Sequence, residues 1–184
     1  MQSHSHNVAH PEREAALAVE GSIPWRRLVA HGLGTDASKS RLFQRALLGA
    51  VVLPHGLQKA FGWFGGWGFE GTLGWFESAL GVPTPLALLV IMAELLGAAA
   101  LALGLFSRLS ALGVALTMLG AILLVHAPSG FFMNWSGTQS GEGFEYHLLA
   151  LGLSLPLVVQ GGGAWSLDTW LLRHWVRRAP PPRA

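Results

Sequence analysis

The chain has 184 residues, 51% of them apolar and only 12% charged, with a formal net charge of +2 and no cysteine. That is about one domain, with too few charges for an ordinary soluble one. The lack of cysteine excludes disulfides, thiolate metal sites, iron–sulfur ligation and thiol redox chemistry on this chain, and no basic stripe with interleaved aromatics points to nucleic acid.

Residues 1–40 are polar and mixed, hold four histidines and lack the apolar core of a signal peptide. They read as a solvated N-terminal extension, in which "WRRL", Trp25 to Leu28, suits a membrane surface but is too short to span.

Four apolar segments follow, at about Leu42 to Phe61, Pro85 to Phe106, Leu109 to Val125 and Tyr146 to Gln160. The second, as a helix of roughly 22 residues, covers ~33 Å, enough to cross the hydrocarbon. The fourth, at ~15 residues, is short but is still counted as a span. The expected fold is all-α: a membrane-embedded four-helix bundle over residues 41–163, with spans two and three joined antiparallel through "SRL", Ser107 to Leu109.

Arginine and lysine set the expected orientation. Arg13, Arg26, Arg27, Lys39, Arg41 and Arg45 precede or open the first span, Arg108 sits in the short turn, and Arg173, Arg177, Arg178 and Arg183 follow the last. The loops Gly62 to Thr84 and His126 to Glu145 have neither residue type, so both termini are expected in the cytoplasm and these two loops outside. Both loops are rich in tryptophan and phenylalanine and are expected to lie at headgroup depth as re-entrant or interfacial pieces. After the last span, "SLDTWLLRHWVRR" starts on a cap-type Ser166 and separates Leu167, Leu171 and Trp175 from Arg173 and Arg177. It reads as an amphipathic cytoplasmic helix within residues 164–184.

Helices in lipid associate through small residues and a few polar contacts. Ala93, Gly97, Ala100 and Gly104 form one such stripe on span two; Ser110, Gly113, Thr117 and Gly120 form another on span three. These stripes specify helix packing, not chemistry.

The chemistry-bearing groups converge by depth. His55 lies ~20 Å above the inner end of span one, and Glu94 lies ~14 Å below the outer end of span two. Gln58 and Lys59 are about one turn beyond His55, while His126 ends span three and Glu145 opens span four. Ionisable residues at such depth cost about 2.5–3.5 kcal/mol on insertion scales and usually face the bundle interior. His55, Gln58, Lys59, Glu94, His126 and Glu145 are therefore candidates for a ligand-binding site or a buried polar network. Pro54 and Gly56 loosen the helix beside them.

Simpler readings exist for three of them: Lys59 can snorkel outward, His126 can sit at a helix C-terminus and Glu145 at a helix N-terminus because the dipole favours each. Glu94 has no such reading, since a lone buried carboxylate must be paired or protonated. No catalytic residue is singled out and no metal site is expected.

Four motifs resemble the DoxX family of small prokaryotic membrane proteins: "PHGLQKAFG" at Pro54 to Gly62, "AELLGAAALALGLFSRL" at Ala93 to Leu109, "HAPSGFF" at His126 to Phe132 and "EYHLLALGL" at Glu145 to Leu153. The resemblance implies four transmembrane helices in a prokaryotic inner membrane. It also implies a redox association, because the family is named through its kinship with the membrane subunits of a thiosulfate:quinone oxidoreductase.

Two classes of function follow. The first is a subunit of a redox system binding a quinone or similar lipid-soluble ligand, with other subunits or a second copy and membrane lipids as partners. If it is an enzyme, it is a quinone-linked oxidoreductase subunit without its own thiol or iron–sulfur centre. Haem between His55 and His126 is chemically suitable but disfavoured, since histidine pairs on two helices arise often without it. The second class is a non-catalytic scaffold or assembly subunit whose buried polar network fixes helix packing. A transporter is disfavoured, because four short helices with one polar cluster offer little for alternating access.

Overall fold

A computed structural model describes residues 31–177, every regular element of which is helical. The extension up to residue 30, with its "WRRL", and the tail from Arg178 lie outside the described residues.

Helix α1 (Lys39–Phe61) starts at Ser38, whose hydroxyl accepts from Arg41 N, and ends at Gly62 in the left-handed conformation, φ 72°. It runs unbroken through Pro54. A 3₁₀ turn (Trp63–Gly65) leads into α2 (Gly68–Leu80), so the first aromatic loop carries a helix of its own. Helix α3 (Thr84–Leu103) has a proline in its first turn and is interrupted by a π turn at Ala93–Gly97. Helix α4 (Ser107–Ser129) passes through a second π turn at Ile122–His126. Helix α5 (Glu145–Gln160) and α6 (Leu167–Arg177) complete the order.

The reversal between α3 and α4 falls at Gly104 to Phe106, earlier than the "SRL" that the sequence suggested. Gly104, at φ 70°, ends α3, and Asp168 accepts from the N–H groups of Phe106 (2.6 Å) and Ser107 (2.8 Å), so Ser107 already opens α4. A carboxylate on those free donors is a charged N-cap delivered from α6.

The core runs between α1, α3, α4 and α5, with Val52, Ala98, Leu101, Ala111, Val114 and Leu157 fully buried. Close approach of α1 to α3 depends on Gly49: a Cβ there would lie 2.7 Å from the carbonyl oxygen of Ala98. Of the small-residue stripes, Gly113 stands against Ala93, with 3.4 Å between its would-be Cβ and that of Ala93, and Gly97 over the Ser110 carbonyl at 3.9 Å. Thr117 is buried and Ala100 half-buried. Gly104 serves as a helix cap, and Gly120 meets nothing within 4 Å.

Two of the described helices, α3 and α4, are long and apolar enough to cross a membrane. Only 28% and 33% of their apolar windows are buried, and leucines such as Leu89, Leu109, Leu116 and Leu123 point outward. A soluble core helix hides its leucines; exposed apolar surface of this extent marks a surface made for lipid or for another chain.

Candidate functional site: an ion pair on a π turn

Gly56 sets the geometry. A Cβ on it would lie 2.5 Å from Leu95 N and 2.6 Å from the Glu94 carbonyl, so α1 rests directly on the backbone of the first π turn. Such turns insert one extra residue, re-aim side chains, and recur at functional sites. Here the turn carries Glu94, which is 4% exposed. Lys59, on the same face of α1 as Gly56, places Nζ 2.5 Å from Glu94 Oε2. The buried carboxylate thus has its counter-charge, as burial demands.

The other candidates gather around this pair without touching it. His55 is exposed, on the outward face that also carries Leu47 and Val51, with its ring 6.1 Å from that of Tyr146. His126, at the end of the second π turn, shares a hydrogen bond of 2.9 Å between Nδ1 and the Glu142 carbonyl. A carbonyl can only accept, so Nδ1 carries the proton. Gln58 donates to the Phe64 carbonyl (3.3 Å), and Glu145 accepts from Trp135 Nε1 (3.0 Å), so both are tied to the outer loops.

Two further residues belong to the cluster and were not among the candidates. His147 is buried and lies against His126, ring centroids 4.1 Å apart and the planes tilted by 37°; the Tyr146 ring stands 5.3 Å from that of His147. The Tyr146 hydroxyl and His147 Nδ1 are both buried without a hydrogen-bond partner. Tyr146 lies within electrostatic range of Glu94, and His147 of Lys59 and His55. The signal was available in the spacing of α5: His147, Ala150, Ser154 and Leu157 form its buried face.

At the opposite end, the arginines read as markers of orientation are structural. Arg45, 2% exposed, donates to the carbonyls of Gly162 (2.8 Å), Ala164 (3.2 Å), Trp165 (3.1 Å), Leu101 (3.4 Å) and Ala102. Arg41 donates to Gln160 O (2.6 Å) and pairs with Asp36; Arg108 donates to Gly34 O (2.9 Å) and Val159 O. Guanidinium groups here cap the carbonyl ends of α3 and α5, where cations are favoured.

The DoxX family model matches residues 40–127, which contain Gly56, Lys59, Glu94 and His126. A protein of Bacillus subtilis (strain 168) named "Putative oxidoreductase CatD" is 30% identical over 132 residues, covering 72% of this chain and 87% of that relative. No solved structure matches the chain. Family and relative suggest a membrane protein associated with redox chemistry. The chain belongs to the DoxX family.

Proposed function

We propose that this chain is a multi-pass subunit of a redox system in a prokaryotic inner membrane, binding a quinone or a similar lipid-soluble ligand in the outer half of a four-helix bundle. Helices α1, α3, α4 and α5 are its spans, both termini are cytoplasmic, and α6 is an amphipathic helix on the inner interface. Residues 1–40, 41–163 and 164–184 are then extension, membrane domain and interfacial tail.

One observation supports this reading above the others. Within electrostatic range of the Lys59–Glu94 pair are two residues with unpartnered buried atoms: Tyr146, through its Oη, near Glu94, and His147, through Nδ1, near Lys59. An unsatisfied buried donor or acceptor costs about 1–3 kcal/mol, and native proteins keep few of them. A ligand carbonyl or hydroxyl fits these groups: Tyr146 Oη donates or accepts, and His147 does either according to its tautomer. Reduction of a quinone consumes protons as well as electrons, and histidine is suited to carry the protons near neutral pH. Electrons come from a partner or substrate.

Purification in mild detergent with native lipids, followed by mass spectrometry of extracted ligands and co-purifying chains, tests the proposal. A quinone is expected with the wild-type protein and is lost on Glu94→Gln. If extracts hold phospholipid alone and added quinone does not bind, the reading fails.

The scaffold reading has one observation in its favour, the exposed His55. A polar ring on an outward face at membrane depth is costly without a protein neighbour. On that reading His55→Ala abolishes assembly with another subunit or a second copy, while no ligand is ever extracted.

A further inference from the structure

Beside the ion pair, on the loop side, lies a pocket of about 210 Å³ between the end of α1, the turn at residues 65–67 and α2. Its walls are aromatic: Trp67 and Trp75 meet edge to face with centroids 5.7 Å apart, and Trp75 meets Phe76 likewise at 5.5 Å. Lys59 and the buried Thr72 supply polar groups to the same walls. The turn is a built feature. Gly62, Gly65 and Gly68 all have positive φ, Phe64 joins them at φ 53°, and any Cβ on Gly66 would collide with the Gln58 carbonyl. A phenylalanine held in the left-handed region is strained, and such strain concentrates at ligand sites.

The chemistry narrows the occupant. Pockets for whole drug-sized ligands run to roughly 300–1,000 Å³, so this one takes a ring head and leaves a tail outside. The ammonium of Lys59 is already balanced by Glu94, so the local charge is close to zero and an anionic phosphate headgroup gains little. A bare acyl chain would leave Lys59 and Thr72 without use. A neutral, flat ring with an oxygen acceptor satisfies all the walls: edges and faces of tryptophan for the ring, and one of the remaining N–H bonds of Lys59 for the oxygen.

We propose that this pocket is the ring site of the lipid-soluble ligand, with the ring against Trp67 and Trp75 and one oxygen accepting from Lys59 Nζ. This rests on the ligand-binding reading above and adds where the ligand's head sits and on which side of the ion pair. Lys59 is then the shared contact between the ring and the buried carboxylate. Tyr146 and His147 lie outside the walls of this pocket, and Tyr146 is within electrostatic range of that carboxylate.

Menadione, a small quinone without a long tail, is the probe, with its affinity for the full-length protein in detergent measured by equilibrium dialysis. Trp67→Leu and Thr72→Val are the variants. Trp67 is 66% exposed and Thr72→Val is nearly isosteric, so both are expected to fold, which size exclusion and the melting temperature check. Trp67→Leu is expected to weaken menadione binding by about 5-fold, the scale of one aromatic contact, Thr72→Val by a similar factor, the scale of one neutral hydrogen bond, and the double variant by more. If both folded variants bind menadione as tightly as wild type, the ring site is elsewhere, while the ligand-binding reading survives. If wild type shows no saturable binding, both readings fall.

Discussion

The two ends of the helical domain handle buried polar groups in opposite ways. At the arginine end, Arg45 gives its N–H groups to five carbonyls, and Asp168 closes the two free amides at the start of α4. The atoms left over there, Ser107 Oγ and Arg108 Nε, belong to residues that are otherwise anchored. At the Lys59–Glu94 end a single side-chain ion pair stands without such a network of carbonyls, and Tyr146 Oη and His147 Nδ1 are also buried without a partner. Satisfied networks rigidify and specify a fold; unsatisfied groups, costly in low dielectric, need another explanation. The comparison sets a network that caps backbone carbonyls at one end against an isolated ion pair at the other.

The largest effect is therefore expected from Arg45→Met. The substitution keeps much of the volume but strips buried carbonyls of α3 and of residues 162–165 of their donor, and it removes the charge facing Asp168. Breaking such a buried arrangement from one side costs about 3–5 kcal/mol. Size exclusion after stepwise heating in detergent should show the variant aggregating well below wild type. Wild-type heat resistance would mean that the arginine end does not hold the fold.

Gly56→Ala strikes the other end, with a smaller cost and a different phenotype. Its methyl would meet backbone atoms of Glu94 and Leu95 at 2.5–2.6 Å, so α1 must retreat from the π turn and the Lys59–Glu94 contact must lengthen. Overpacking of this kind costs about 1–3 kcal/mol. The variant should fold, with a lowered melting temperature, and should lose quinone binding out of proportion to that loss. If it binds ligand normally, the closeness of α1 to the π turn has no part in the site.

Much of this contrast was legible in the sequence, and what was missed has physical causes. The apolar runs of the sequence coincide with the helices α1, α3, α4 and α5 to within a few residues, because long apolar segments favour helix. Depth arguments brought His55 level with Glu94 and Lys59 one turn further out, and of these Lys59 meets Glu94 at 2.5 Å. Depth says nothing about which group of a helix face reaches its neighbour, however: of His55 and Lys59, one turn apart on the same stripe of α1, it is Lys59 that pairs with Glu94. The π turn under Glu94 has no residue signature that a periodic reading detects; it shows only as a shift of the buried face of α3. Arg45 was read through the positive-inside rule, which counts charge and does not ask where a guanidinium points. Its spacing of four from Arg41, which puts both arginines on one face of the first turns of α1, was the available hint.

His55→Leu is expected to have the smallest effect, and it separates the two readings of the Lys59–Glu94 end. His55 is exposed, has no hydrogen bond or ion pair among the described residues, and continues the stripe of Leu47 and Val51 one turn before Lys59, so leucine there extends an apolar surface. An exposed substitution away from caps and networks stays within about 0.5 kcal/mol, and in lipid the loss of a polar ring is no penalty. Melting temperature and menadione affinity should both match wild type if the ligand site is the Lys59–Glu94 pair with its aromatic pocket. Native gels of the same preparation add the second arm: loss of a larger species with unchanged ligand binding makes His55 the contact with a neighbouring chain. A fall in menadione affinity without any change in assembly would extend the site to the outward face of α1, and the division between ligand face and lipid face would have to be redrawn.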